Sequence, residues 1–136
     1  MNRFFSPTPL FQSTGLALVR FAIGIFLIYH GVEIFDENII NRYLGWDQFK
    51  NPSGKFMVYS GKVGELLAGI LFVLGLLTRI ACLLLIGVMS YIAFFVGKGI
   101  IWYDDQHPFL FVLLGFVFLF TGPGNFSLDK LIFKKN

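Results

Sequence analysis

Five ionisable side chains lie within stretches that are otherwise apolar: Arg20, His30, Glu33, Lys62 and Glu65. An imidazole and a carboxylate sheltered from water can titrate near neutrality, and can then hydrogen-bond or exchange protons with a polar ligand. A nearby ammonium biases the carboxylate toward its ionised form. A charge at the centre of a membrane helix costs about 2.5 to 3.5 kcal/mol, so such groups are expected to face a bundle interior and to have partners. WYDDQHP adds Asp104, Asp105 and His107. Three such residues in a short aqueous loop read as solvated loop chemistry, so no metal site is expected. No nucleophile elbow, phosphate loop or HExxH motif is present.

The elements that must position these groups are long apolar runs. A helix needs about 20 apolar residues to cross the hydrocarbon at about 1.5 Å per residue. Four runs qualify: Leu16 to Phe35, Met57 to Leu77, Ile80 to Val96, and Pro108 to Thr121, the last short at 14 residues. Pro and Gly punctuate the gaps at PTP, NPSG, GKG and GPG. The expected fold is all-α, an integral membrane four-helix bundle in one domain covering residues 1–136, with N- and C-termini on the same side. If the first run leaves the membrane near Asp36 and the second enters near Phe56, His30, Lys62 and Glu65 lie about 9 to 14 Å beneath one surface. At about 100° per residue, Lys62, Glu65, Gly69, Phe72 and Leu76 share one sector of about 80°, and Lys62 and Glu65 are i,i+3 neighbours able to pair. In the first run His30 sits at the edge of the Arg20, Gly24, Leu27 and Gly31 stripe. Glu33 lies another 60° or so round and is expected at the headgroups. Gly24, Gly31, Gly61, Gly64 and Gly69 are expected to let helices approach closely.

Composition agrees with a membrane location. The chain is 56% hydrophobic with 18 phenylalanines and 14% charged residues, against about 25% charged for soluble domains. The formal charge of +3 lies mostly beside apolar runs, so it orients spans and does not point to nucleic acid. Cys82 is the only cysteine, which excludes a disulfide framework, a CxxC redox pair and a cysteine metal site within one chain. Arg3 ahead of an apolar run resembles a signal peptide, but the run is long and carries internal charges, so it reads as a retained first helix.

Basic residues near the span ends set orientation: Arg3, Arg79, Lys130, Lys134 and Lys135 on the terminal side, Arg42, Lys50, Lys55 and Lys98 on the other. Five against four places both termini in the cytoplasm. In the outer loop, ENIINRYLGW puts Ile39, Ile40, Tyr43 and Leu44 at helical spacing, predicting a short helix on the membrane surface. Trp46, Trp102 and Tyr103 read as an interfacial aromatic belt. Arg20, near the inner end, is expected to pair with Asp129 or to cap carbonyls at GPG.

YHG at 29 to 31, GELLAGILFVLGLLTR at 64 to 79 and GPGNFSLD at 122 to 129, in that order and spacing, resemble the DoxX family of small bacterial membrane proteins. The resemblance runs from about Leu16 to Asp129. It implies a four-helix integral membrane fold and places family-typical positions on Arg20, His30, Gly31, Glu65, Arg79, Gly122, Pro123, Gly124 and Asp129. A basic residue commonly follows the YHG-like motif in such proteins, whereas this chain has Glu33, Asp36 and Glu37. The resemblance also implies association with redox complexes, since the family takes its name from a small subunit of a terminal quinol oxidase.

The chain has no CxxCH for haem, no iron–sulfur ligand set and no second cysteine, so a redox role would be that of a quinone-site builder or partner subunit. The ligand-binding candidates are His30, Glu65, Lys62, Arg20 and Tyr29, with Phe26, Tyr59 and Phe94 as further walls. A non-catalytic scaffold or assembly factor is the alternative, with the polar cluster fixing helix register. Transport is a weaker one, since four helices enclose little space and no span is broken midway. The expected partners are membrane lipid and another membrane protein or a second copy.

Overall fold

The computed structural model describes residues 3–134; Lys135, one of the orienting lysines, lies outside them. Six α-helices follow one another: α1 Gln12–Gly31, α2 Glu37–Leu44, α3 Gly54–Leu74, α4 Thr78–Tyr91, α5 Gln106–Thr121 and α6 Leu128–Ile132, with no strand among the described residues. Three helical stretches are long and apolar enough to cross a membrane, 12–35, 54–74 and 78–96, while α5 is a shorter apolar helix. Their outward faces carry Leu18, Phe21, Ile25, Leu67, Leu83 and Phe120, all exposed. That is far more contiguous apolar surface than water tolerates, and it suits lipid.

The helix ends explain where the expected boundaries shift. α3 stops at Leu74, three residues before the apolar run does, because Gly75 takes φ +62°. Leu76 N–H then donates to Leu71 O at 3.0 Å, a Schellman closure. α4 begins at Thr78 after Leu77, itself left-handed at φ +46°. α4 ends in a π-helical stretch over Ile92–Val96, where Gly97 N–H reaches back five residues to Ile92 O at 2.7 Å.

The most extensive contact is α1 on α3, followed by α4 on α5 and then α3 on α4. The α1–α3 seam is set by glycine. A methyl group on Gly31 would lie 2.5 Å from the Leu66 backbone, and one on Gly24 or Gly69 would meet backbone of the opposite helix within 3 Å. Gly64 approaches Val88 of α4, whereas Gly61 faces open space and takes no part in a seam. All four long helices share one core, including Leu27, Phe72, Leu85 and Phe118, with the Phe72 and Phe118 rings edge-on at 5.9 Å.

Candidate functional site

The seam aligns the C-terminal end of α1 with the middle of α3, Gly31 lying against Leu66, and the ionisable groups meet there. Lys62 Nζ donates to Glu65 Oε2 at 3.0 Å and to Glu33 Oε2 at 2.7 Å. Tyr43 Oη, from α2, donates to the same Glu33 oxygen at 2.9 Å, and the Lys62 ammonium stands 4.8 Å from the centre of the Tyr43 ring. His30 Nδ1 is 3.8 Å from Glu33 Oε1. Exposure rises along this chain of groups: the side chains of Glu65, Lys62, Glu33 and His30 are 6%, 10%, 19% and 45% exposed. Burial pushes the Tyr43 phenol above its ordinary value, which keeps it a neutral donor to Glu33.

Glu33, expected to reach outward, is instead tied into the network by Lys62 and Tyr43. α1 gives way to a 3-10 turn over Val32–Phe35. At three residues per turn this swings Glu33 back by about 40° toward the His30 edge of the interior stripe. His30 and Glu65 make no direct hydrogen bond; Lys62 and Glu33 stand between them.

Beside the network lies a cavity of about 510 Å³. Leu27, Val58, Met89, Ile92 and Phe111 are among its apolar lining, while His30, Lys62, Glu65 and Tyr43 bring polar atoms to it. Among the described residues nothing donates to Glu65 Oε1, so that carboxylate oxygen is unpaired within the chain. The π-helical stretch contributes Ile92 and Val96 to the lining, and the loop between α2 and α3 contributes Trp46 and Phe49. Gln48 Nε2 fastens that loop to Val96 O at 2.8 Å. Of the expected walls, Phe26 lines the cavity; Tyr29, Tyr59 and Phe94 do not. Tyr29 is exposed on the outside of α1, its ring edge-on to His30.

His107, expected as a solvated loop residue, instead lies in the first turn of α5 and borders the cavity at the same end of the bundle as His30. Its neighbour Asp105 is structural, with Oδ2 accepting from Lys98 N–H and Ile100 N–H, both at 2.9 Å. Trp46, Trp102 and Tyr103 are all exposed, as a belt requires, and Trp46 also lines the cavity.

Arg20 lies at the other end of the bundle and does not reach the cavity. Its buried guanidinium donates to Pro123 O at 2.6 Å, Asn125 O at 3.3 Å and Phe126 O at 2.9 Å. Asp129 caps α4 instead of pairing with Arg20: Oδ1 accepts from Leu77 N–H at 2.6 Å and Oδ2 from Thr78 N–H at 2.8 Å. Gly122 and Gly124 hold φ of +80° and +75°, and a methyl on Gly124 would meet Ser13 O of α1 at 2.5 Å. Arg20, Gly122, Pro123, Gly124 and Asp129 thus form a lock joining residues 122–129 to α1 and α4, with Arg79 exposed beside it.

A helical membrane protein with a buried charged network walling a ligand-sized cavity is the class these features define. The chain matches the DoxX family over residues 15–98 and belongs to it. It is similar to an uncharacterized protein of Haemophilus influenzae, 33% identical over 127 residues covering 88% of this chain and 92% of that one. It is also similar to an uncharacterized membrane protein of Mycobacterium tuberculosis, 30% identical over 134 residues covering 86% and 80%. No solved structure matches it significantly.

Proposed function

We propose that this DoxX protein is a single-domain, four-span protein of the bacterial cytoplasmic membrane with both termini in the cytoplasm. Its cavity, toward the outer leaflet, holds a quinone-like headgroup for a redox-associated membrane assembly. The observation that carries this reading is the pairing of a free carboxylate oxygen on Glu65 with His30 on the lining of one largely apolar cavity. The volume of about 510 Å³ falls within the roughly 300 to 1,000 Å³ of small-molecule sites, which also pair an apolar lining with few polar anchors. A quinone supplies two-electron, two-proton chemistry at an aromatic headgroup. Here Glu65 Oε1 would accept from a headgroup hydroxyl and His30 would hydrogen-bond a headgroup oxygen, while Lys62 holds the other Glu65 oxygen in place.

Titration of a quinone analogue into purified wild type, His30→Ala and Glu65→Gln tests this. Each variant is expected to bind roughly tenfold more weakly, the worth of one hydrogen bond to a charged group. Absence of binding by folded wild type sinks the quinone reading, while equal binding by all three proteins rejects this site. A scaffold for another membrane protein is the second reading, favoured by the completeness with which Lys62 is paired inside the chain. A stoichiometric partner recovered from native membranes, together with no quinone binding, would select it.

A further inference from the structure

A second concavity lies at the locked end, remote from the charged network. Val73 and Leu74 of the last turn of α3 line a groove of about 540 Å³ together with Phe126, Leu128 and Leu131, and Lys130 and Lys134 are among its polar lining. Both lysines are exposed. Lys130 Nζ donates to the neutral amide oxygen of Asn125 at 2.8 Å, so no carboxylate offsets its charge. The one acidic residue at this end, Asp129, is committed to capping α4. Among the described residues, Arg20, Arg79, Lys130 and Lys134 therefore stand against the single side-chain carboxylate of Asp129. The apolar side is equally uncovered: Phe126 is 85% and Leu131 78% exposed. Phe126 holds φ +53°, a left-handed conformation unfavourable for a bulky residue, and the Arg20 bond to its carbonyl fixes it there.

Apolar walls, uncompensated lysines and a place at the end of a membrane-length helix complement one ligand chemistry, a phosphodiester carrying acyl chains. We propose that this groove seats an anionic phospholipid, its headgroup phosphate on Lys130 and Lys134 and its chains along Val73, Leu74 and Leu131. Free phosphate would satisfy the lysines but leave the apolar wall bare.

The test is binding to the purified, delipidated protein, read by native mass spectrometry with phosphatidylglycerol or phosphatidylcholine, and separately with inorganic phosphate. Phosphatidylglycerol is expected to bind wild type in preference to phosphatidylcholine. The Lys130→Ala/Lys134→Ala double variant is expected to lose roughly ten- to thirtyfold in affinity for it, from two surface lysines each near a headgroup. Lys98→Ala, at the opposite end, is expected to bind as wild type does. Equal binding of the two lipids, undiminished binding by the double variant, or inorganic phosphate competing as well as the lipid would each overturn the proposal. So would a tightly held protein partner shielding residues 126–134 from labelling. Circular dichroism of the double variant, expected to match wild type because both side chains are exposed, separates loss of the site from loss of fold.

Discussion

Lys62 is the residue on which the cavity end of the bundle depends. Its ammonium is the shared donor to two carboxylates, Glu33 and Glu65, that otherwise face each other in a poorly hydrated place. Removing one member of a buried charged set costs about 3 to 5 kcal/mol because the charges left behind have lost both water and partner. Lys62→Ala is therefore expected to lose about 3 kcal/mol, the low end, since Glu33 keeps some exposure. Combining it with Glu33→Gln and Glu65→Gln should recover most of that loss, because no buried charge is then stranded. Denaturant unfolding in detergent at neutral pH measures both; an unchanged midpoint for Lys62→Ala would show the network to be energetically idle. The Lys62 and Glu65 half of this set was legible from i,i+3 spacing alone. Glu33 was not, because a helical wheel assumes about 100° per residue and the 3-10 turn that turns Glu33 inward has no signature in VEIF.

At the scale of elements, apolar run length located every long helix and the ends of three helical stretches, at Phe35, Val96 and Thr121, but it set the starts too late and carried α3 too far. LGLLTR is apolar through Leu77, yet α3 ends at Leu74 because Gly75 turns left-handed. Hydropathy has no sensitivity to the sign of φ, and likewise it does not announce the π-helical end of α4. The same gap affects the glycines. Sequence spacing marks Gly24, Gly31, Gly61, Gly64 and Gly69 as equivalent, but only contact with a neighbouring backbone separates a seam from a cavity wall. Gly31→Ala is expected to cost about 2 kcal/mol by forcing α1 off α3. Gly87→Ala, where a methyl group meets nothing within 4 Å on the cavity lining, should be neutral or gain up to about 1 kcal/mol from helix propensity. Thermal unfolding of the two variants side by side checks this, and equal shifts would mean that the α1–α3 seam tolerates a wider spacing.

For the whole molecule, the two ends are built for different tasks. At one end Arg20 and Asp129 use their charges on backbone groups, which fastens residues 122–129 across α1 and α4; at the other, charges are paired beside a cavity. GPGNFSLD could be seen to matter from its glycines and its charge, but the exchange of partners, Arg20 to carbonyls and Asp129 to amides, depends on where the chain folds back. Because Ser13 O accepts from Asn125 N–H at 3.1 Å, the start of α1 and residues 122–129 share one end of the bundle. Four spans would then put both α2 and the 97–105 loop on the opposite side. Cys82 is fully buried, so the natural chain is a silent background for cysteine labelling. Glu37→Cys and Asp104→Cys, both at exposed positions, are expected to react with a membrane-impermeant maleimide in intact spheroplasts. Thr8→Cys, also exposed, is expected to react only after permeabilisation. The mirror-image pattern would reverse the orientation while keeping the topology. Unequal labelling of Glu37→Cys and Asp104→Cys would remove the even number of spans between them, and with it the four-span arrangement that gives the cavity a single outer face.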